Sequence, residues 1–368
     1  MQIFVAGQRC GVRFRRSAFN RRAFAGRIAR MTTTTFPHHW PVYGHDWAVN
    51  HLRKSLTHQR VRHGYLLVGP ASVGKETLAR AFALTLNCQH PDPAQRPCGE
   101  CRSCQLIASG NHPDMIYSET DATTGALKIE EIRNTMNRLA FKPFEARYRI
   151  AIFRDFDHAA PRAQDALLKT LEEPSPHAML LLLAEEPENL LATITSRAQM
   201  LHLRPIPATV VRDVLVERFG ADTEQATLLA RLSGGRLGWA IQALRDETRL
   251  EQRTTALDLL EECLKMNRKG RFDLADELAR DKQALGPLLE LWQTYWRDVS
   301  LLCEGSRLYP TNYDRSAQLE RLASELTPDA ALAALKLTGA TLKNLSLNIN
   351  TRLALEVMFL SYPGLAHG

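Results

Sequence analysis

Residues 65–79 constrain the fold more than any other stretch: Tyr65-Leu66-Leu67-Val68-Gly69-Pro70-Ala71-Ser72-Val73-Gly74-Lys75-Glu76-Thr77-Leu78-Ala79. An apolar run ends at Gly69, four residues pass, Gly74-Lys75 follows, and helix formers continue from Glu76 to Leu86. That spacing predicts a strand, a phosphate-binding loop and a helix. Glycines let successive backbone N–H groups curl around a phosphate, and the helix turns its positive end toward it. Lys75 would then reach the β- and γ-phosphates. The next position needs a hydroxyl to hold Mg²⁺, yet it is Glu76, and Thr77 sits one residue late on a different face. The cradle is expected and the metal seat is damaged, so Mg²⁺ is disfavoured and any ATP or ADP would be held weakly. The alternative is a Gly-rich turn that binds nothing.

At 368 residues the chain has room for two or three domains. It has no uninterrupted apolar run of about 18 residues, the length a membrane span needs. The net charge of +7 is concentrated at one end, because residues 1–30 hold eight arginines and no acid, leaving residues 31–368 near −1. An organelle transit peptide, a basic tail for nucleic acid, and a start codon placed too far upstream, with Met31 as the second candidate, all fit such a head. Residues 1–34 are therefore expected to be disordered or a mis-assigned start. Four of the seven cysteines fall within seventeen residues, and no clean secretory signal precedes them. A reducing cytoplasm is expected, which argues against disulfides.

Those four, Cys88, Cys98, Cys101 and Cys104, are interleaved with Pro91, Pro93 and Pro97. Thiolates on short turns spaced by two residues suit tetrahedral zinc, in a segment too small and proline-broken to bury a core of its own. Structural zinc is the expectation; a redox or iron–sulfur role is the alternative.

Further along, Asp114 to Tyr117 reads as a short strand, and Ile129, Ile132, Met136 and Leu139 recur at helical spacing. Residues 44–58 carry Trp47, Val49, Leu52 and Leu56 at roughly helical spacing. The second long apolar strand, Arg149 to Phe153, delivers Arg154-Asp155 at its carboxyl end, where a nucleotidase of this layout needs an Asp for Mg²⁺ beside a Glu that orients water. Residues 166–174 predict a helix ended by Pro174. Met179 to Ala184 is a continuous apolar run, as in a parallel strand covered on both faces. A last short strand is expected from Gln199 to Leu203.

The strings ALLKTLEEP at 166–174 and TSRA at 195–198, with the four cysteines, resemble the clamp-loader subunits of bacterial DNA polymerase III, which are AAA+ proteins. The string NINTRLALE at 348–356 resembles the ending of that family's delta-prime type. The resemblance implies an α/β AAA+ P-loop domain with a parallel sheet over 35–205, carrying the four-cysteine zinc module at 88–104. A helical lid over 206–243 and an all-α collar over 246–368, through which the subunits form a ring, would follow. Registered on ALLKTLEEP, the motor's metal-binding Asp falls on Arg154 and its catalytic Glu on Asp155. Its first sensor falls on or near Glu185, and its second on Gly238, two positions from Arg236. A cation where Mg²⁺ needs an anion argues against hydrolysis.

One functional residue of the family survives: Ser196-Arg197-Ala198 matches the motif that lends an arginine finger to a neighbour's ATP. The resemblance thus implies a hetero-pentamer with gamma/tau and delta subunits that loads a sliding clamp on primed DNA. Polymerase (nucleotidyltransferase) activity would belong to the holoenzyme and not to this chain. The alternative is an active gamma/tau-type ATPase. Cys263 and Cys303 are expected to be buried small hydrophobes, and charged groups of the collar to lie on solvated helix faces.

Overall fold

In the computed structural model, residues 40–121, 126–246, 248–306, 308–345 and 350–364 are described. The arginine-rich head lies outside them, as do Asn348 and Ile349 of the C-terminal motif.

Among the described residues five strands, β1 (Gly64–Val68), β2 (Met115–Tyr117), β3 (Arg149–Phe153), β4 (Ala178–Ala184) and β5 (Gln199–His202), are joined in parallel in the order β2-β3-β4-β1-β5. Every residue of β1 and β4 is buried, which is why both read as unbroken apolar stretches rather than as alternation. Side chains alternate between two cores. Tyr65 and Leu67 join Trp40, Phe82 and Leu86 on one face, while Leu66 and Val68 join Phe153, Phe156 and Leu167 on the other. Leu66 pairs with both Leu182 and Met200, and Phe153 with Leu182. The carboxyl ends of β1, β3 and β4 therefore share one edge of the sheet, where an open α/β sheet presents its ligand loops.

A small core of Val211, Leu215, Leu229 and Ala240 gathers the helices Ala208–Phe219, Thr223–Leu232 and Leu237–Arg245. A larger one gathers helices from residue 248 onward around Trp292, Tyr295, Trp296, Phe359 and Tyr362. The aromatic rings of that core pack at centroid separations of 5.3 to 6.1 Å.

Several expectations change in detail. Trp47 is 50% exposed, and Trp40, at 1%, takes the core place. The segment 166–174 is helical as expected but only from Leu168 to Glu172, just before Pro174, and a separate short helix, Pro161–Asp165, precedes it. Cys263 is buried as expected, but Cys303 is only half-buried. The charged groups expected on solvated helix faces after residue 246 are not all solvated: Arg253 and Arg271 are buried. The guanidinium of Arg253 meets Asp314 and Asn312. That of Arg271 meets only backbone carbonyls.

Candidate functional site

The loop after β1 is held open by its glycines. Gly69 has φ +155°, and a Cβ there would lie 2.2 Å from the Leu203 carbonyl oxygen, so no other residue fits. Gly74 caps the helix Lys75–Asn87 in a left-handed conformation. The Nε2–H of His45 donates to the Val73 carbonyl at 3.1 Å, and burial lowers the pKa of that imidazole. These contacts shape a cradle in the expected strand-loop-helix setting.

The charged residues of the loop and of its helix pair within the chain. Lys75 Nζ donates to the carbonyls of Gly69 and Pro70, at 2.5 and 3.1 Å, and lies 3.6 Å from Glu185. Arg154 grips Glu76 with two hydrogen bonds, Nε to Oε2 at 3.0 Å and Nη2 to Oε1 at 2.5 Å. The same guanidinium sits 5.0 Å from the centroid of the Tyr117 ring, a cation–π distance. Burial works against the charge on Arg154, but the Glu76 contacts outweigh it and raise its pKa. Two positions that read as separate defects in the sequence are thus one bidentate ion pair, between the first turn of the helix Lys75–Asn87 and the end of β3.

Around this pair Glu185 has its pKa raised by burial, with Asp157 and Asp155 adding to the rise and Lys75 opposing it. Asp157 Oδ2 accepts the N–H groups of Glu185 and Glu186, each at 3.0 Å. Gly238 meets the loop directly. Its N–H donates to the Ser72 carbonyl at 2.9 Å, and a Cβ at 238 would lie 2.7 Å from the same oxygen. No arginine can stand there without moving the helix. Arg236 Nε instead donates to the Ser233 carbonyl at 3.0 Å.

The ion pair can be tested without any ligand. Both side chains are about a third exposed, so solvent screening limits its worth. Glu76→Arg and Arg154→Glu should each lower stability by about 1 to 2 kcal/mol, through like charges brought into contact. The double reversal should return to within about 1 kcal/mol of the unmodified chain. Urea unfolding of all four proteins would check this, and a double variant whose loss equals the sum of the singles would show that the two residues do not couple.

Arg197 is not gathered into this site. It follows the short helix Ala192–Thr195 and is 37% exposed. Its Nη1 donates to the Thr193 carbonyl at 3.2 Å and to Ser196 Oγ at 3.3 Å, and its Nη2 lies 2.8 Å from Glu172 Oε1.

The four cysteines do come together, with their Sγ atoms all within 4.8 Å of one another. Cys88 and Cys98 sulfurs are 3.5 Å apart, against about 3.8 Å between ligands of tetrahedral zinc with 2.3 Å bonds. Backbone N–H groups of Gln89, His90, Cys98 and Cys101 approach the sulfurs at 3.3 to 3.5 Å, a pattern that favours thiolates. Burial pushes the Cys88 and Cys104 thiols up, whereas at Cys98 burial is overcome by hydrogen bonds from Cys101 and Glu100, which bring the thiol to about 7. The donor set could hold a metal ion, and binding one would expel the thiol protons.

Sequence reasoning missed Glu172, Asp157 and Asp114. The buried Asp114 carboxylate accepts the N–H groups of Phe144, Glu145 and Ala146, at 2.7, 2.9 and 3.0 Å. None of the three has a local spacing signal, because every partner lies far away in the chain or on the backbone. Glu172 falls within the ALLKTLEEP string, but nothing in the string says which cation it faces.

Residues 44–207 match a protein family described as DNA polymerase III, delta subunit. The DNA polymerase III subunit delta' of Bacillus subtilis is 26% identical over 84% of this chain and 93% of its own length. That of Pseudomonas aeruginosa is 34% identical over 55% of this chain and 62% of its own length. The tau/gamma subunit of Haemophilus influenzae is 36% identical over 46% of this chain. The chain spans only 24% of the Haemophilus protein and under two thirds of the Pseudomonas one.

Proposed function

We propose that this chain is a delta-prime-type member of the clamp-loader subunit family of DNA polymerase III, which helps load a sliding clamp on primed DNA and does not hydrolyse ATP itself; its similarity to that family over residues 44–207 and to the delta' relatives supports this. The observation that carries this is the Glu76–Arg154 ion pair. It stands where a hydrolysing relative needs a hydroxyl and a carboxylate around Mg²⁺. The contacts of Lys75 with the loop carbonyls support the same reading. Any ATP or ADP would have to displace these contacts and would bind weakly.

The chain's contribution would then be made in trans. Arg197 would supply its guanidinium to ATP on a neighbouring gamma/tau-type subunit and neutralise charge on the transferring phosphoryl group. Residues 35–205 would be the AAA+ core, 206–243 the lid and 246–368 the collar that joins a hetero-pentamer with gamma/tau and delta subunits. Exposed Leu353, Val357 and Leu360 form a stripe on the helix Thr351–Ser361, with Leu332 exposed on the helix Pro328–Leu345. Apolar positions left in water in this way suit burial between subunits. The sliding clamp and DNA would be reached through the complex.

The experiment is steady-state ATP hydrolysis by the chain alone, by gamma/tau with delta, and by all three together. The expected result is no turnover alone and stimulation on adding the chain. Mg²⁺-dependent turnover by the isolated chain would instead support the gamma/tau-type reading, which the retained Gly74-Lys75 favours.

Cys88, Cys98, Cys101 and Cys104 would hold a structural zinc ion, cross-linking the end of the loop helix to the helix Arg102–Ser109. Purified chain should contain about one zinc, lost on replacing Cys101 and Cys104 with Ser, and the segment 88–111 should then become sensitive to protease. Metal analysis showing none in the unmodified protein would sink this assignment.

A further inference from the structure

Resting on the assignment of Arg197 as a trans-acting finger, we propose that Glu172 is its positioning residue. It would be the carboxylate that holds the guanidinium extended so that a neighbour's phosphate meets it in place.

An arginine with about 2 kcal/mol of rotamer freedom is a poor donor unless something restricts it. Here two short helices that follow different strands provide the restriction. The helix Leu168–Glu172 ends at Glu172, and the helix Ala192–Thr195 leads into Ser196-Arg197. The Thr193 carbonyl and Ser196 Oγ take up Nη1, and Glu172 Oε1 stands at Nη2. Among the described residues, no acceptor is hydrogen-bonded to Nε. The guanidinium is therefore anchored on one side while donors remain for an incoming anion. Glu172 is 50% exposed, so the pair is screened and weak. A multiply charged phosphate can share or displace the carboxylate at little cost. A tether of that strength orders the side chain without competing with its target, which is the geometric requirement for a pre-positioned group.

The test uses the assembled complex, with the chain titrated against gamma/tau and delta. Glu172→Gln should lower the saturating ATP turnover by roughly three- to tenfold. It should leave unchanged the KM for ATP and the chain concentration at half-maximal stimulation. Glu172→Asp, which keeps the charge, should retain most of the rate. Turnover with Glu172→Gln at the unmodified level, or a loss that appears only as a shift in the half-maximal concentration, would overturn the positioning role. An Arg197→Ala arm run alongside separates the two claims. If that variant stimulates fully, the finger assignment itself falls; if it does not, while Glu172→Gln behaves normally, only the role of Glu172 falls.

Discussion

Arg197→Ala should reduce the ATP turnover of the assembled complex by about 10³-fold or more, down to the rate seen without stimulation. The magnitude follows from where the charge is needed. In phosphoryl transfer the protein acts mainly by placing cations against the equatorial oxygens, and a finger contributes nothing until the transition state forms. The loss should therefore appear in kcat, with KM for ATP little changed. Folding should not suffer. Arg197 is 37% exposed and its ion pair with Glu172 is at the surface, so the substitution should cost less than about 1 kcal/mol. Arg197→Lys should recover only a small part of the rate, since an ammonium lacks the planar fork. Turnover within twofold of the unmodified complex would mean that this arginine carries no part of the stimulation.

The second large effect is on stability. Arg271→Met should destabilise the C-terminal helices by about 3 to 5 kcal/mol. Arg271 is buried to 6% exposure, and its hydrogen bonds go to carbonyls rather than to a carboxylate. Its Nε meets the Cys263 carbonyl, Nη1 those of Phe359 and Tyr362, and Nη2 those of Leu264 and Pro363, at 2.6 to 3.2 Å. These carbonyls belong to the last turns of the helices Thr248–Lys265 and Thr351–Ser361 and the residues just after, where peptide dipoles leave partial negative charge. Two helix ends together thus stand in for a counter-ion. Methionine nearly matches the volume but takes this donor away from all five carbonyl oxygens at once. Urea unfolding followed by tryptophan fluorescence suits the measurement, since Trp292 and Trp296 lie in the same core. A change under about 1 kcal/mol would show that water replaces the guanidinium without penalty.

What can be foreseen from the sequence divides by range. β1 and β4 are legible because strands covered on both faces must be continuously apolar, and the cysteine cluster because residues that could hold a metal on short turns keep close spacing. The short helix Pro161–Asp165, just before the segment 166–174, is not foreseen from the sequence. Arg271 reads as a solvated-face residue because its acceptors are carbonyls, which every residue carries and no sequence advertises. Trp47 and Trp40 exchange roles for a similar reason. Periodicity favours Trp47, whereas Trp40 is placed by tertiary packing against Phe82, with ring centroids 6.1 Å apart. At the site, Glu76 and Arg154 each stand out as departures from a hydrolytic pattern. Their partnership does not, because 78 residues separate them and an ion pair leaves no trace in local spacing.

That partnership also limits what substitution can do. A chain carrying Glu76 and Arg154 cannot reach a metal seat by single steps without penalty. Restoring a hydroxyl at 76 strands the guanidinium, and restoring a carboxylate at 154 sets it against Glu76, before either change creates a place for Mg²⁺. Gly238, pressed against Ser72, adds a third change that must come with the others. The pairing acts as a barrier: each single step toward a metal seat costs stability before it yields any chemistry.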